Sequence, residues 1–106
     1  MVETRQFNVY RVKGLKADSA VDLAVVLQDE TLSHLSTRVV APLIPIPKGL
    51  EVERVTPAVL IDGVRYMVAM HLLTTIPVRS LGTLVASLAD RDGELKNAID
   101  AVFFGV

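Results

Sequence analysis

Two histidines, His34 and His71, have ordinary pKa values near neutrality and are the first candidates for proton transfer or metal ligation. Neither has a companion at metal-ligand spacing. His34 stands in a polar "LSHLST" stretch and His71 ends an apolar run, with no nucleophile pattern beside either, so structural roles are expected. The carboxylates Asp29 with Glu30, and Asp90 with Asp92, could in principle share acid–base work. Adjacent positions do not make a pocket, and solvated loop charge is the expectation. The absence of cysteine excludes disulfides, thiolate catalysis and Cys-based zinc sites, and suits a reducing compartment. Glycines at 14, 49, 63, 82, 93 and 105 are scattered rather than gathered into a phosphate-binding loop. No catalytic residue, metal or cofactor is expected.

The elements that would position any site read as strands first and a helix last. From Gln6 to Val12 the side chains alternate, Phe7 and Val9 on one face and Gln6, Asn8 and Tyr10 on the other, as in a half-buried strand. "VKGLKADSA" then reads as a loop and "VDLAVVLQ" as a second strand. "RVVAPLI", residues 38–44, predicts a third strand that lies at an edge, at least at its end, because Pro42, Pro45 and Pro47 donate no ladder hydrogen bond. Asp62-Gly63 predicts a type I′ hairpin joining "AVLI" to "VRYMVAMHLL", the latter a central or bent strand buried on both faces.

After Pro77 the spacing turns helical. Leu84, Leu88, Leu95, Ile99, Val102 and Phe103 fall near one face, which predicts a long final helix from about Leu88, capped by Asp90 or Asp92 and ended by Gly105. Leu95, Ile99 and Val102 are expected in the core. Phe103 and Phe104 are adjacent and point about 100° apart, so one of them is expected to be exposed. The fold class is α+β, a strongly bent antiparallel sheet or partial barrel with a C-terminal helix, in one domain over residues 1–106.

Composition limits the partners. Hydrophobic residues make up 51% of the 106, so some apolar surface is expected at an interface, with itself or with another protein. Eleven basic and twelve acidic residues are spread without a Lys/Arg run, which argues against direct nucleic-acid binding. No apolar run approaches the roughly 20 residues of a membrane span, and no secretory h-region opens the chain; a cytoplasmic location is expected. The closing "LKNAIDAVFFGV" is unusually apolar for a chain end, and is expected to need a partner: the protein's own core, a second copy or another protein.

That ending, the opening "QFNVYRV" and the middle "TPAVLIDGVRYMVAMHLLTTIPVRSLG" together resemble the CcdB family of addiction toxins, over residues 6 to 106. The most specific part is Lys96-Asn97-Ala98-Ile99 followed by Phe103, an aromatic, a glycine and an aliphatic. The resemblance implies a homodimeric bacterial protein involved in plasmid maintenance. Its fold would be an SH3-like partial barrel of the CcdB/MazF type, with a small additional sheet and a C-terminal helix. It would not be an enzyme but a poison of DNA gyrase, trapping the enzyme on cleaved DNA and neutralised by a CcdA-like antitoxin. Carried over by position, Phe104, Gly105 and Val106 form the poisoning tip that enters the gyrase A subunit and stacks on an arginine. Asp100 and Val102 lie one turn back, and Thr31 and Leu32 flank the contact.

The sequence departs from the pattern in places. The family's best-known members carry tryptophan where Phe104 stands and asparagine where Asp100 stands; the loop at 13–20 is longer and less basic, and Thr31 replaces an aliphatic. Two alternatives stay open: a relative that no longer poisons and serves as a binding protein, and a MazF-like endoribonuclease toxin on the shared fold.

Overall fold

The computed structural model describes residues 5–13, 23–47 and 53–105. The loop expected at 12–20 lies largely outside these, as does Val106. Among the described residues seven strands form one curled antiparallel sheet: β1 (Asn8–Val12), β2 (Leu23–Val26), β3 (Thr37–Pro45), β4 (Ala58–Ile61), β5 (Val64–Val68), β6 (Thr74–Pro77) and β7 (Leu81–Ser87). The chain then enters the helix α1 (Asp92–Phe104). The path runs β4-β5-β3-β2-β1-β7, with β6 also pairing β3. The half-barrel with a C-terminal helix expected from the sequence is the fold observed.

Beside Pro42, β3 changes partners. It pairs with β2 along one side (Ala24↔Pro42, Val26↔Val40). On its other side it meets β6 up to Val40↔Thr74 and β5 from Leu43↔Val68. The expected edge position is therefore wrong for most of β3, which is central, and holds at its end, where among the described residues Ile44 and Pro45 pair with β5 alone. Leu27 N donates to Val39 O at 2.9 Å, which fixes the ladder's alternation and turns the backbone of Pro42 away from β2. There the Pro42 carbonyl accepts from Ala69 N at 2.9 Å, and the missing amide faces the gap filled by a 3₁₀ turn, Met70–Leu72. A central strand tolerates proline here because its partner strand is interrupted at that point. The same interruption ends the long strand expected over 64–73 at Val68; the turn follows, and β6 begins only at Thr74.

Local turn chemistry behaves as expected at Asp62-Gly63. Both residues have positive φ, 50° and 80°, and Ile61 pairs with Val64 across them. Phe7, expected within the first strand, instead precedes it at φ 68°, an unusual conformation for an aromatic residue. It is tied on both sides, Phe7 N donating to Val26 O at 2.7 Å and Leu88 N to Phe7 O at 2.8 Å.

Apolar side chains fill both faces of the curl. One core joins Phe7, Val9, Val25, Ala41, Leu43, Val68 and Met70 to Leu95 and Ala98 of α1. The other gathers Tyr10, Val12, Ala24, Val26 and Val40, with Ile76 and Leu81 against them. Tyr10 is thus buried, where a half-buried strand would expose it.

The helix expected from about Leu88 begins later. Residues 81–87 are β7, paired with β1 through a ladder with two register shifts. A 3₁₀ turn, Ala89–Arg91, then leads into α1. Neither Asp90 nor Asp92 caps it. Arg91 occupies the N-cap without a side-chain cap bond, while Asp92 and Glu94 supply the acidic first turn. Gly105, at φ 71°, ends the helix as expected, its amide donating to Ala101 O at 3.0 Å.

Leu95 is fully buried and Leu84 exposed. Leu95→Ala is therefore expected to cost about 2–5 kcal/mol in urea unfolding, and Leu84→Ala less than about 0.5. Equal costs would contradict the placement of α1 on the sheet.

Candidate functional site

The side chains that could do acid–base chemistry do not converge. His34 and His71 are both exposed, one in the loop before β3 and the other in the Met70–Leu72 turn. Among the described residues no group of three or more His, Cys, Asp or Glu is placed to hold a metal ion. The carboxylates have local structural partners. Asp29 accepts a hydrogen bond from Thr31 N at 2.8 Å, and Asp92 faces Lys96 at 3.4 Å one helical turn on.

At the start of α1, Arg91 donates two hydrogen bonds to Glu94, at 2.7 and 2.9 Å, and a third to the Ala58 carbonyl of β4 at 3.0 Å. The guanidinium thereby pins the first turn of the helix to β4. Its hydrogen bonds hold the Glu94 carboxyl below the usual carboxylate value, and the carboxylate in turn raises Arg91. These groups line an open groove of about 410 Å³ with Glu53, Arg54 and Asn97.

The opposite end of α1 has a different character. Leu95 and Ala98 are buried, and Ile99 and Val102 pack partly buried against the same core. One turn later the helix presents both aromatics to solvent, Phe103 at 61% exposed and Phe104 at 74%. Exposure of one ring was expected; both are exposed. Their centroids lie 6.5 Å apart with planes tilted by 53°. Asp100 is exposed on the preceding turn, and Gly105 follows in its left-handed conformation.

Thr31 and Leu32 lie in a 3₁₀ turn, Glu30–Leu32, and are both exposed. Leu35 is exposed beyond it. The base of this loop meets the helix end in an apolar groove of about 210 Å³, lined by Leu27, Gln28, Val39, Leu73, Ile99 and Phe103. Of the residues expected at the site, Phe104, Gly105, Asp100 and Val102 share the end of α1. Thr31 and Leu32 sit in the neighbouring loop.

Sequence reasoning missed two residues of that loop's frame. Gln28 accepts from Val39 N at 3.0 Å and donates to Thr37 O at 3.4 Å, bridging the loop's two ends. Arg38 is fully buried, and its guanidinium donates to the carbonyls of Ser33, Leu35 and Thr37. An arginine opening an apolar strand run was the available signal for the second.

The family model described as CcdB protein matches residues 6–105. The Mycobacterium tuberculosis toxin MazF-mt6 superposes with a TM-score of 0.71 at 25% identity, over 91% of this chain and 95% of that one. A second solved structure, described as an Mtb toxin, gives 0.70 at 24% identity, over 90% and 99% of the two chains. An endoribonuclease in complex with its cognate antitoxin, from a mycobacterial species, gives 0.75 at 14% identity, over 93% of each chain. No curated protein matches the sequence. No helix among the described residues is long and apolar enough to cross a membrane.

The Asp29 cap has a pH dependence with a definite sign. The Thr31 amide, then the Thr31 hydroxyl, hold the Asp29 carboxyl below its ordinary value. A depressed folded-state pKa means the cap is intact above the ordinary aspartate range and is lost as pH falls through the lowered value. The Thr31 amide resonance is expected to titrate there in the wild type and not in Asp29→Asn. Titration at the ordinary aspartate value would contradict the cap.

Proposed function

The chain belongs to the CcdB family, and from that membership we propose that it is a toxin that binds the A subunit of DNA gyrase and traps the enzyme on cleaved DNA. The family match and the toxin structures that share its fold support the toxin assignment. The observation that carries the gyrase contact is the exposed aromatic tip: Phe104 projects from the last turn of a helix whose inner face is packed into the core. An apolar ring left in water gains by burial, and its π face attracts a guanidinium by about 0.5–2 kcal/mol, depending on how far the pair is desolvated. In a two-fold dimer the same contact is made twice.

In this reading the chain breaks no bond itself. Phe104, Gly105 and Val106 enter the gyrase cavity, Asp100 and Val102 support them from the preceding turn, and Thr31 and Leu32 flank the contact. Phenylalanine at 104 offers a smaller π face than tryptophan, and Asp100 adds a negative charge that an arginine would attract. A small antitoxin with a disordered segment that folds on the toxin would neutralise it.

One observation favours a second reading, RNA cleavage: solved structures with this fold include endoribonucleases. Incubation of RNA with the purified protein separates the two, since a gyrase poison leaves it intact.

With the cognate gyrase and ATP, the wild type is expected to accumulate cleaved DNA complexes. Phe104→Ala, and a version lacking Gly105 and Val106, are expected to lose at least roughly tenfold in potency, as removal of a partly desolvated ring contact in two copies implies. Cleavage by neither wild type nor variants, with normal folding, would defeat the proposal.

A further inference from the structure

We infer that Arg38 is the positioning residue of a preorganised recognition loop, residues 29–36, which presents Leu32 and Leu35 beside the aromatic tip. The inference rests on the gyrase-binding reading. It assigns to a residue with no surface of its own the task of shaping the second half of the contact.

Burying a guanidinium is costly unless its donors are met. Arg38 is fully buried at the start of β3, and its guanidinium donates to carbonyls of the segment just before and at the strand's start: Ser33 at 2.8 Å, Thr37 at 2.8 Å, and Leu35. The planar fork of an arginine can satisfy several carbonyls in fixed directions, which an ammonium cannot do with the same geometry. The loop's remaining bonds complete a frame. Asp29 caps Thr31, Leu32 N donates to Asp29 O at 3.0 Å, Ser33 N to Glu30 O at 3.0 Å, and Leu35 N to Leu32 O at 3.1 Å. At the far end Val78 N donates to Ser36 O at 2.9 Å, and Gln28 bridges Thr37 and Val39.

The product of this frame is an ordered loop whose apolar side chains are in water, Leu32 at 42% exposed and Leu35 at 41%. A loop that presents apolar side chains and is already ordered avoids the entropy cost of ordering when a partner binds. The loop's position fits that use, because Gln28 and Val39 at its base line the same groove as Phe103 and Ile99 at the end of the helix. Loop and tip form one contact surface on a shared support.

The test uses the full chain with a fragment of the gyrase A subunit carrying its dimerisation domain. Arg38→Lys keeps the charge and loses the fork; Arg38→Met loses both. Val40→Ala, a cavity in the core on the same face of β3 as Arg38, serves as a destabilised control. Both Arg38 variants are expected to raise amide exchange at Leu32, Ser33 and Leu35 at least tenfold while the Leu27 amide stays protected. Their affinity for the gyrase fragment is expected to fall about tenfold. Val40→Ala is expected to leave loop exchange and affinity unchanged. Should Arg38→Met fail to fold, Arg38→Lys carries the test, with Asp29→Ala loosening the same loop from an exposed position and weakening binding in the same direction. Unchanged loop exchange in folded Arg38→Lys, or a loosened loop with unchanged affinity beside a wild type that binds, overturns the inference alone. A wild type that does not bind the fragment removes the gyrase reading and the inference with it.

Discussion

The architecture depends on one strand serving two sets of partners. Over nine residues β3 bonds to β2 on one side and to β6 and then β5 on the other. The change of partner occurs where Pro42 has no amide to donate, so the proline's deficiency and the gap in the ladder coincide. From that gap follows the Met70–Leu72 turn, and Met70 from that turn enters the core that receives Leu95 and Ala98 of the helix. The helix is thus held by its inner face, Leu95 and Ala98, while its last turn keeps Phe103 and Phe104 outside that core. The exposure of Phe103 and Phe104 follows from this placement.

Features governed by a few adjacent residues were legible in the sequence. Asp62-Gly63 announced its hairpin because positive φ at two successive positions restricts residue choice severely, and Gly105 marked the helix end for the same reason. The inner face of the last helix was legible through Leu95, Ile99 and Val102. Residues 81–88 were not. A separation of four, as between Leu84 and Leu88, satisfies both the 3.6-residue period of a helix and the two-residue period of a strand, so spacing alone could not choose between them. Pairing with β1 decided the outcome.

Other discrepancies arise from contacts distant in sequence. Pro42 argued for an edge because a ladder interrupted at one point leaves no local mark. Tyr10 was assigned to a polar face, but curling of the sheet gave that face a core of its own. The acidic residues near 90–94 were expected to supply a cap; instead the helix start is fixed by Arg91, bonded to Glu94 and to the Ala58 carbonyl 33 residues away in sequence. At the candidate site, composition revealed the apolar tip, whereas the carbonyl cage around Arg38 required the folded loop. The tip and the loop share one physical character: apolar groups held in water by buried or hydrogen-bonded supports.

The central claim is that the aromatic face at position 104 recognises a cation on gyrase A. The direct measurement is the affinity of the gyrase A dimerisation fragment for the wild type, Phe104→Trp and Phe104→Leu, the leucine retaining apolar bulk without a π face. The account predicts tightest binding for tryptophan, then phenylalanine, with leucine weakest by about tenfold, and similar folding stabilities for all three. Equal affinity across the series would contradict cation recognition by the ring and leave apolar burial alone to account for the contact.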